Sequence, residues 1–318
     1  MAVTSWLFDA DGADEAVEVD EAVIRRLTDR RLLWVDVEGD GEAELRQVAD
    51  TLGFETESVR ALLNPIGRPR LNVLGEYFEI KVVALDDHDQ PLELDLLAGR
   101  NWVATVHRAT IPFLDELRDR LRPDTELGRL NAPSFLAALL DWQVGTYFAS
   151  VQELERDIDR LDDRALREKE PEDVLRDLIR MRHRIGAVRR TLTPHREVFA
   201  ALARPDFEVV ASSESAAHFR ALIDRLERAI SAVENVRELL IGSFDILMTR
   251  TGQRTNDVMR ILTIISVILL PASVLAGVMG MNFRLGLFDD NRVFWVVIGV
   301  MVAIAVVVLL AARRRRWI

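Results

Sequence analysis

The stretch Ile261-Leu262-Thr263-Ile264-Ile265-Ser266-Val267-Ile268-Leu269-Leu270-Pro271-Ala272-Ser273-Val274-Leu275-Ala276-Gly277-Val278, running on into Met279-Gly280-Met281-Asn282-Phe283, decides how this chain is read. It is apolar without interruption and close to the ~20 residues an α-helix needs to cross a hydrocarbon core of ~30 Å. A second apolar run, Val293 to Ala312, follows a short polar interval, and the chain closes on Arg313-Arg314-Arg315-Arg316-Trp317-Ile318. Two such runs predict a C-terminal membrane hairpin. Everything before it is then the domain the hairpin carries.

Charge divides the same way. The 318 residues carry a net charge of −11, yet the tail from Asn256 onward is basic, with Arg260, Arg284, Arg292 and Arg313 to Arg316 against Asp257, Asp289 and Asp290. The acidity therefore lies upstream. An acidic domain on a basic membrane tail argues against a nucleic-acid partner, which needs clustered Lys and Arg, and favours cations or plain solubility. Cysteine is absent, which excludes disulfides, thiolate metal sites and cysteine nucleophiles. The start, Met1-Ala2-Val3-Thr4-Ser5-Trp6, has no basic region before an apolar core, so no signal peptide is expected. Arg250, Arg254 and Arg260 before the first span and four arginines after the second predict that both termini are cytoplasmic, leaving only the loop Asn282 to Arg292 outside.

Upstream, residues 1–125 read as an α/β region. Leu32 to Val37, Tyr77 to Leu85, Leu92 to Leu97 and Trp102 to Val106 have strand composition, and Glu42 to Leu52 places Leu45, Val48, Ala49 and Leu52 at helical spacing. Residues 126–257 read as a helical region and stalk: a helix from about Pro133 into the charged run Glu153 to Glu170, another over roughly Glu172 to Leu202, and a last one from about Ser215. The apolar pattern of that last helix enters the first span without a break. Residues 258–318 form the hairpin and its basic tail. The fold class is thus an α+β domain, a long stalk helix and a two-helix transmembrane hairpin.

Few residues carry chemistry. Asp86, Asp87 and Asp89 flank His88 and suit a divalent cation, which prefers carboxylate oxygens, or simply make a polar hairpin turn. His107, His183, His195 and His218 lack metal-ligand spacing and read as surface or packing residues. There is no Gly-rich phosphate loop and no Ser elbow, so no enzymatic site is expected. The first span is more telling. Stepping by three and four from Asn256 gives Met259, Thr263, Ser266, Leu270, Ser273, Gly277 and Gly280, a stripe that is mostly small or hydroxylated. Such a stripe marks either close helix packing or one wall of a water-filled path. Two spans cannot enclose a path, so a pore requires a homo-oligomer with the first helix innermost.

At Gly280-Met281-Asn282 the chain resembles the CorA magnesium channels and their ZntB relatives, which share that tripeptide just outside the first span. The junction Thr255 to Ile265, Pro271, the arginine-Trp tail, Trp34-Val35-Asp36-Val37, Arg68-Pro69-Arg70 and Asn101 to His107 are also similar to the family, so the resemblance covers nearly the whole chain. It implies a homopentameric funnel in the inner membrane, in contact with lipid, that transports Mg²⁺, with Co²⁺ and Ni²⁺ as further substrates. Mg²⁺ is also the implied regulatory ligand, with no organic cofactor. Carried over position by position, Asn256, Met259, Leu262, Leu270 and Asn282 fall on pore-lining sites. Three departures stand out. Met279 occupies a place usually aromatic in the magnesium branch. The loop Phe283 to Arg292 lacks Met-Pro-Glu-Leu, leaving Asp289 and Asp290 to gather cations. Ala221 replaces an acidic residue of the regulatory cation site, with Asp224 the nearest carboxylate. A ZntB-like zinc transporter, proton-coupled or not, is the nearest alternative, and a membrane-anchored scaffold or sensor the more distant one.

Overall fold

A computed structural model describes residues 2–64, 67–121, 127, 130–167, 171–204, 207, 213–281 and 291–315. The chain forms two compact units, one of residues 1–164 and 172–243, the other of residues 165–171 and 244–318.

The first unit is built on a seven-stranded sheet of order β2-β1-β3-β7-β6-β5-β4. Its strands are β1 (Ala2–Asp9), β2 (Glu15–Ala16), β3 (Arg31–Glu38), β4 (Arg70–Leu74), β5 (Tyr77–Leu85), β6 (Pro91–Ala98) and β7 (Trp102–His107). Only β3 and β7 pair in parallel. Leu32 to Val37 are buried on both faces, which is why β3 reads as a continuous apolar run and not as an alternating one. One face holds the cluster of Leu33, Val35, Val37, Leu97, Ala104 and Tyr77, packed with residues of α1 (Glu21–Arg26), α2 (Glu42–Leu52) and α3 (Thr56–Leu63). On the other face Phe135, from α5 (Ala132–Arg167), lies with its ring centroid 6.0 Å from both Phe8 and Trp34. A short α4 (Pro112–Arg120) follows β7.

β5 is buried along its whole length although it contains Glu79 and Lys81. Both charges are paired: Lys81 Nζ lies 2.6 Å from Asp95 Oδ2, and Arg70 donates to Glu79 at 2.7 Å. Burial pushes the Asp95 carboxyl up to about 6, with the Lys81 ammonium opposing that rise.

The ladder between β4 and β5 stops at the Arg70–Lys81 pair, so the outer edge of β5 needs other partners beyond that point. Side chains supply them. Val83 N donates to His195 Nε2 at 3.0 Å, Val83 O accepts from Gln143 and from Tyr147 Oη, and Leu85 N donates to Thr146 at 3.1 Å. Gln143, Thr146 and Tyr147 come from α5. His195 opens α7 (His195–Leu202), which follows α6 (Pro171–Leu192). The single helix expected over Glu172 to Leu202 is therefore two, because Pro194 has no N–H and its ring clashes with the carbonyl four residues back. That break is what turns the imidazole of His195 toward the sheet edge.

Two buried histidines are shifted in opposite directions. His195 Nδ1 donates to Leu192 O and Nε2 accepts, so the ring is neutral and burial pushes its pKa down to about 4. His107 faces Ala109 O at 2.7 Å and Asp36 Oδ1 at 3.1 Å, one at each nitrogen, an arrangement that favours the doubly protonated ring. Burial opposes that charge, but the Asp36 hydrogen bond and charge outweigh it and raise the pKa. The signs differ. His195, depressed below its unfolded value of ~6.5, contributes stability that is full above that pH and lost as pH falls through about 4. His107, raised, contributes stability that is full below ~6.5 and lost as pH climbs through its folded pKa. In detergent-solubilised protein the His195→Phe variant is expected to lose about 1–3 kcal/mol at neutral pH, from the unpaired Val83 N–H. Its midpoint should fall less steeply than the parent's between pH 6.5 and 4.5. Parallel curves for parent and variant would contradict a neutral His195.

The last two helices are α8 (Ser213–Met279), 67 residues without interruption, and α9 (Asn291–Arg314), 24 residues. Both contain windows long and apolar enough to cross a membrane. The unbroken apolar period from Ser215 onward is thus one helix, and it starts two residues earlier than the pattern alone indicates.

Candidate ion path along the first membrane-spanning helix

Within the span of α8 the residues withdrawn from solvent are Ile264, which is buried, and Ile268, Pro271, Ala272, Leu275 and Met279, which are half-buried. They recur at three and four, so they form one face. At ~100° per residue, the stripe of Asn256, Met259, Thr263, Ser266, Leu270, Ser273 and Gly277 occupies roughly the opposite face. Every one of those residues, and Leu262 beside them, is exposed. α9 shows a matching pattern in reverse order: Val297, Met301, Ile304, Ala305 and Val308 are half-buried and Ala312 is buried. The polar face of the first span is thus the face that its own chain leaves uncovered.

Local chemistry along the stripe suits a hydrated cation. Thr263 Oγ1 donates to Met259 O at 2.7 Å and Ser266 Oγ to Leu262 O at 2.8 Å, so each hydroxyl hydrogen is committed to the helix and the oxygen lone pairs point outward. Nothing lies within 4 Å of a Cβ built on Gly277, so packing within the chain does not demand a glycine there. Pro271 offers no N–H to the carbonyl of Val267, which loses its helical partner. Met259, Leu262 and Leu270 interrupt the polar run with bulky apolar side chains, each more than half exposed.

The helix ends at the tripeptide. Gly280 N donates to Ala276 O at 2.9 Å and Met281 N to Val278 O at 3.2 Å, after which α8 stops. The negative end of the helix dipole, with its last carbonyls, therefore lies at Gly280 and Met281, and negative potential there attracts cations. A Cβ built on Gly280 would lie 3.4 Å from Ala276 O, an ordinary contact, so packing within the chain does not demand a glycine there either. Asn282, Asp289 and Asp290 lie outside the described residues.

The carboxylates proposed for a regulatory cation are not gathered together. Asp86 Oδ1 accepts from His88 N at 2.8 Å and Gln90 N at 2.7 Å, the geometry of a hairpin turn. Asp89 sits in the left-handed region, φ 59°, with its carboxylate taken by Ser150 and by Arg184 at 2.8 and 3.0 Å. Arg184 also reaches Asp157 at 2.8 Å. Asp86 and Asp87 line an open cleft of about 540 Å³ with Glu116 and Glu153. Asp224, exposed on α8, does not line it. Among the described residues no group of three or more carboxylates or histidines is placed to hold a metal ion. Sequence reasoning missed Arg184 because nothing local ties it to a residue 95 positions away.

The family described as "CorA-like Mg2+ transporter protein" matches residues 29–314. A cobalt/magnesium transport protein CorA of Thermotoga maritima is 28% identical over 295 residues, covering 90% of this chain and 83% of the relative. Among solved structures, the complete CorA magnesium transporter of Methanocaldococcus jannaschii superposes with a TM-score of 0.81 at 22% identity, over 100% of both chains. A ZntB cytoplasmic domain from Vibrio parahaemolyticus gives 0.62 at 13% identity, over 80% of this chain and 100% of that one.

Proposed function

The chain belongs to the CorA-like Mg²⁺ transporter family, and from that premise we propose that it is a homopentameric channel passing hydrated Mg²⁺ along the exposed face of α8. It is a divalent-cation transporter of that family, not an enzyme, and it sits in the cell membrane through two C-terminal spans. The observation that carries the channel reading is the stripe's position, polar, uncovered and opposite the face that the span turns to its own chain. Five copies with these faces inward enclose a path that one chain cannot. In this reading both termini are cytoplasmic, supported by the arginines that precede the first span and follow the second.

Mg²⁺ gives up its water reluctantly. A ring of Asn282 amides, set by the turn at Gly280 and Met281, accepts and donates hydrogen bonds to that water shell without stripping it. Asp289 and Asp290 raise the cation concentration outside, and the α8 dipole ends add to the attraction. Below the mouth, Gly277, Ser273, Ser266 and Thr263 offer small or acceptor surfaces. Leu270, Leu262 and Met259 are hydrophobic rings that conduct only when wetted, and Asn256 receives the ion on leaving. For feedback by internal Mg²⁺, Asp86 and Asp87 remain as carboxylates on the open cleft, and Asp224, which does not line it, would have to act apart from them. Asp89 is unsuited, since Arg184 already neutralises it.

Flux into proteoliposomes tests the ion assignment. Mg²⁺ uptake is expected with or without a pH gradient, followed by weaker Co²⁺ and Ni²⁺ uptake. Uptake of Zn²⁺ alone, or uptake that needs the proton gradient, would replace the magnesium channel with a proton-coupled zinc transporter.

A further inference from the structure

The basic end of α9 has a sidedness that the ion path does not use. Arg313 and Arg314 complete the helix, and Arg315 N still donates to Ala311 O at 3.0 Å, so the helical geometry continues through all three. All three side chains are exposed. The half-buried residues Val297, Met301, Ile304, Ala305 and Val308, with the buried Ala312, fix which face of α9 turns toward the rest of its unit. At ~100° per residue, Arg313 and Arg314 flank the opposite face, each roughly 130° from the centre of the covered one, whereas Arg315 falls back in line with it. The first two arginines therefore point away from the covered face of their own chain, and the third, though also exposed, lies in line with that face.

Depth fixes what they meet. Phe294 and Trp295 are exposed at the other end of α9, where amphipathic aromatic rings suit a membrane boundary. Trp295 and Arg313 are 18 positions apart on one helix, a rise of ~27 Å, close to the ~30 Å hydrocarbon thickness. With the aromatic pair at one boundary, Arg313 and Arg314 lie at the headgroups of the other. No ion pair binds either one among the described residues, and α9 contains no Asp or Glu. Two adjacent guanidinium groups present planar forks that match phosphate oxygens bidentately.

We propose that Arg313 and Arg314 form a binding site for the phosphodiester headgroup of an anionic phospholipid in the leaflet at the basic ends of the spans. The inference rests on the two membrane spans and is independent of which ion the chain carries. The ligand is a lipid, and not a soluble phosphate, because both guanidinium groups lie on the lipid-facing side at headgroup depth.

Purified full-length protein is reconstituted into nanodiscs of equal phosphatidylglycerol and phosphatidylcholine, and the lipids retained on extraction are quantified by native mass spectrometry. The parent chain is expected to retain phosphatidylglycerol in several-fold excess. An attraction of ~1 kcal/mol for each surface arginine corresponds to a fivefold change, so R313Q/R314Q is expected to lose most of an enrichment of up to ~25-fold. R315Q should change it less than twofold, and R313K/R314K should keep at least half. Equal enrichment in R313Q/R314Q and parent, or an equal loss in R315Q, overturns the site. Displacement of the lipid by millimolar inorganic phosphate overturns the lipid assignment. If R313Q/R314Q fails to assemble, the parent alone decides: enrichment must fall as salt is raised from 50 to 500 mM, and enrichment indifferent to salt refutes the proposal.

Discussion

Replacing Asn282 with Ala is expected to reduce Mg²⁺ flux by about 100-fold or more while leaving the assembled protein intact. The magnitude follows from what the ring does. In the proposed ring each amide hydrogen bond to the water shell of the ion is worth about 0.5–1.5 kcal/mol net, so losing two or three of five removes about 1–4.5 kcal/mol, a range that contains the ~2.7 kcal/mol of a 100-fold change. Among the described residues Gly280 and Met281 make the last backbone bonds of α8, and alanine at 282 removes neither of them. Size-exclusion chromatography and flux assays on the same preparation separate assembly from conduction. Asn282→Gln, which keeps the amide on a longer stem, should retain more flux than Asn282→Ala. Undiminished Mg²⁺ flux in Asn282→Ala would mean that selection occurs elsewhere, with Asp289 and Asp290 the next residues to test.

The parts of this molecule that could be read from its sequence are those set by short-range pattern. α2 spans Glu42–Leu52 and β5 spans Tyr77–Leu85, the limits that apolar spacing and β-rich composition indicate, because each is bounded by residues that end it locally: Gly53 in the left-handed region after α2, and the Asp86 turn after β5. β1 was not legible. In its first half Ala2 and Val3 are exposed and the buried residue is the polar Ser5, so only Leu7 and Phe8 signal a buried strand. The break before α7 was written in Pro194, but a strong apolar period on both sides masked it. The stripe on α8 could be found by counting; its relation to the covered face could not, because that depends on which residues the rest of the unit reaches. Likewise the ion pair of Asp89 with Arg184 and the charged state of His107 depend on partners brought from 95 and 71 positions away.

A matched pair of substitutions tests which helix lines the path. Ser273 lies on the uncovered face of α8, and Ala303 is exposed on α9, away from the half-buried Met301, Ile304 and Ala305. Leucine at either site adds similar bulk to an exposed position, so the two variants carry a comparable cost to helix formation, which is small for leucine. In the proposed pentamer their positions differ in what the five copies do. At Ser273 the added side chains meet around the axis, replace five hydroxyl groups with an apolar ring and extend the dry zone already made by Leu270 one turn below. At Ala303 they enter lipid, where an extra leucine is neutral or mildly favourable. Ser273→Leu is therefore expected to lower Mg²⁺ flux at least tenfold, which requires only about 1.4 kcal/mol of added barrier. Ala303→Leu should leave flux within a factor of two. The reverse result would place α9 at the axis. Equal loss in both variants would show that bulk anywhere in the spans disturbs assembly, and the uncovered polar face of α8 would then mark close contact between helices rather than the wall of a path.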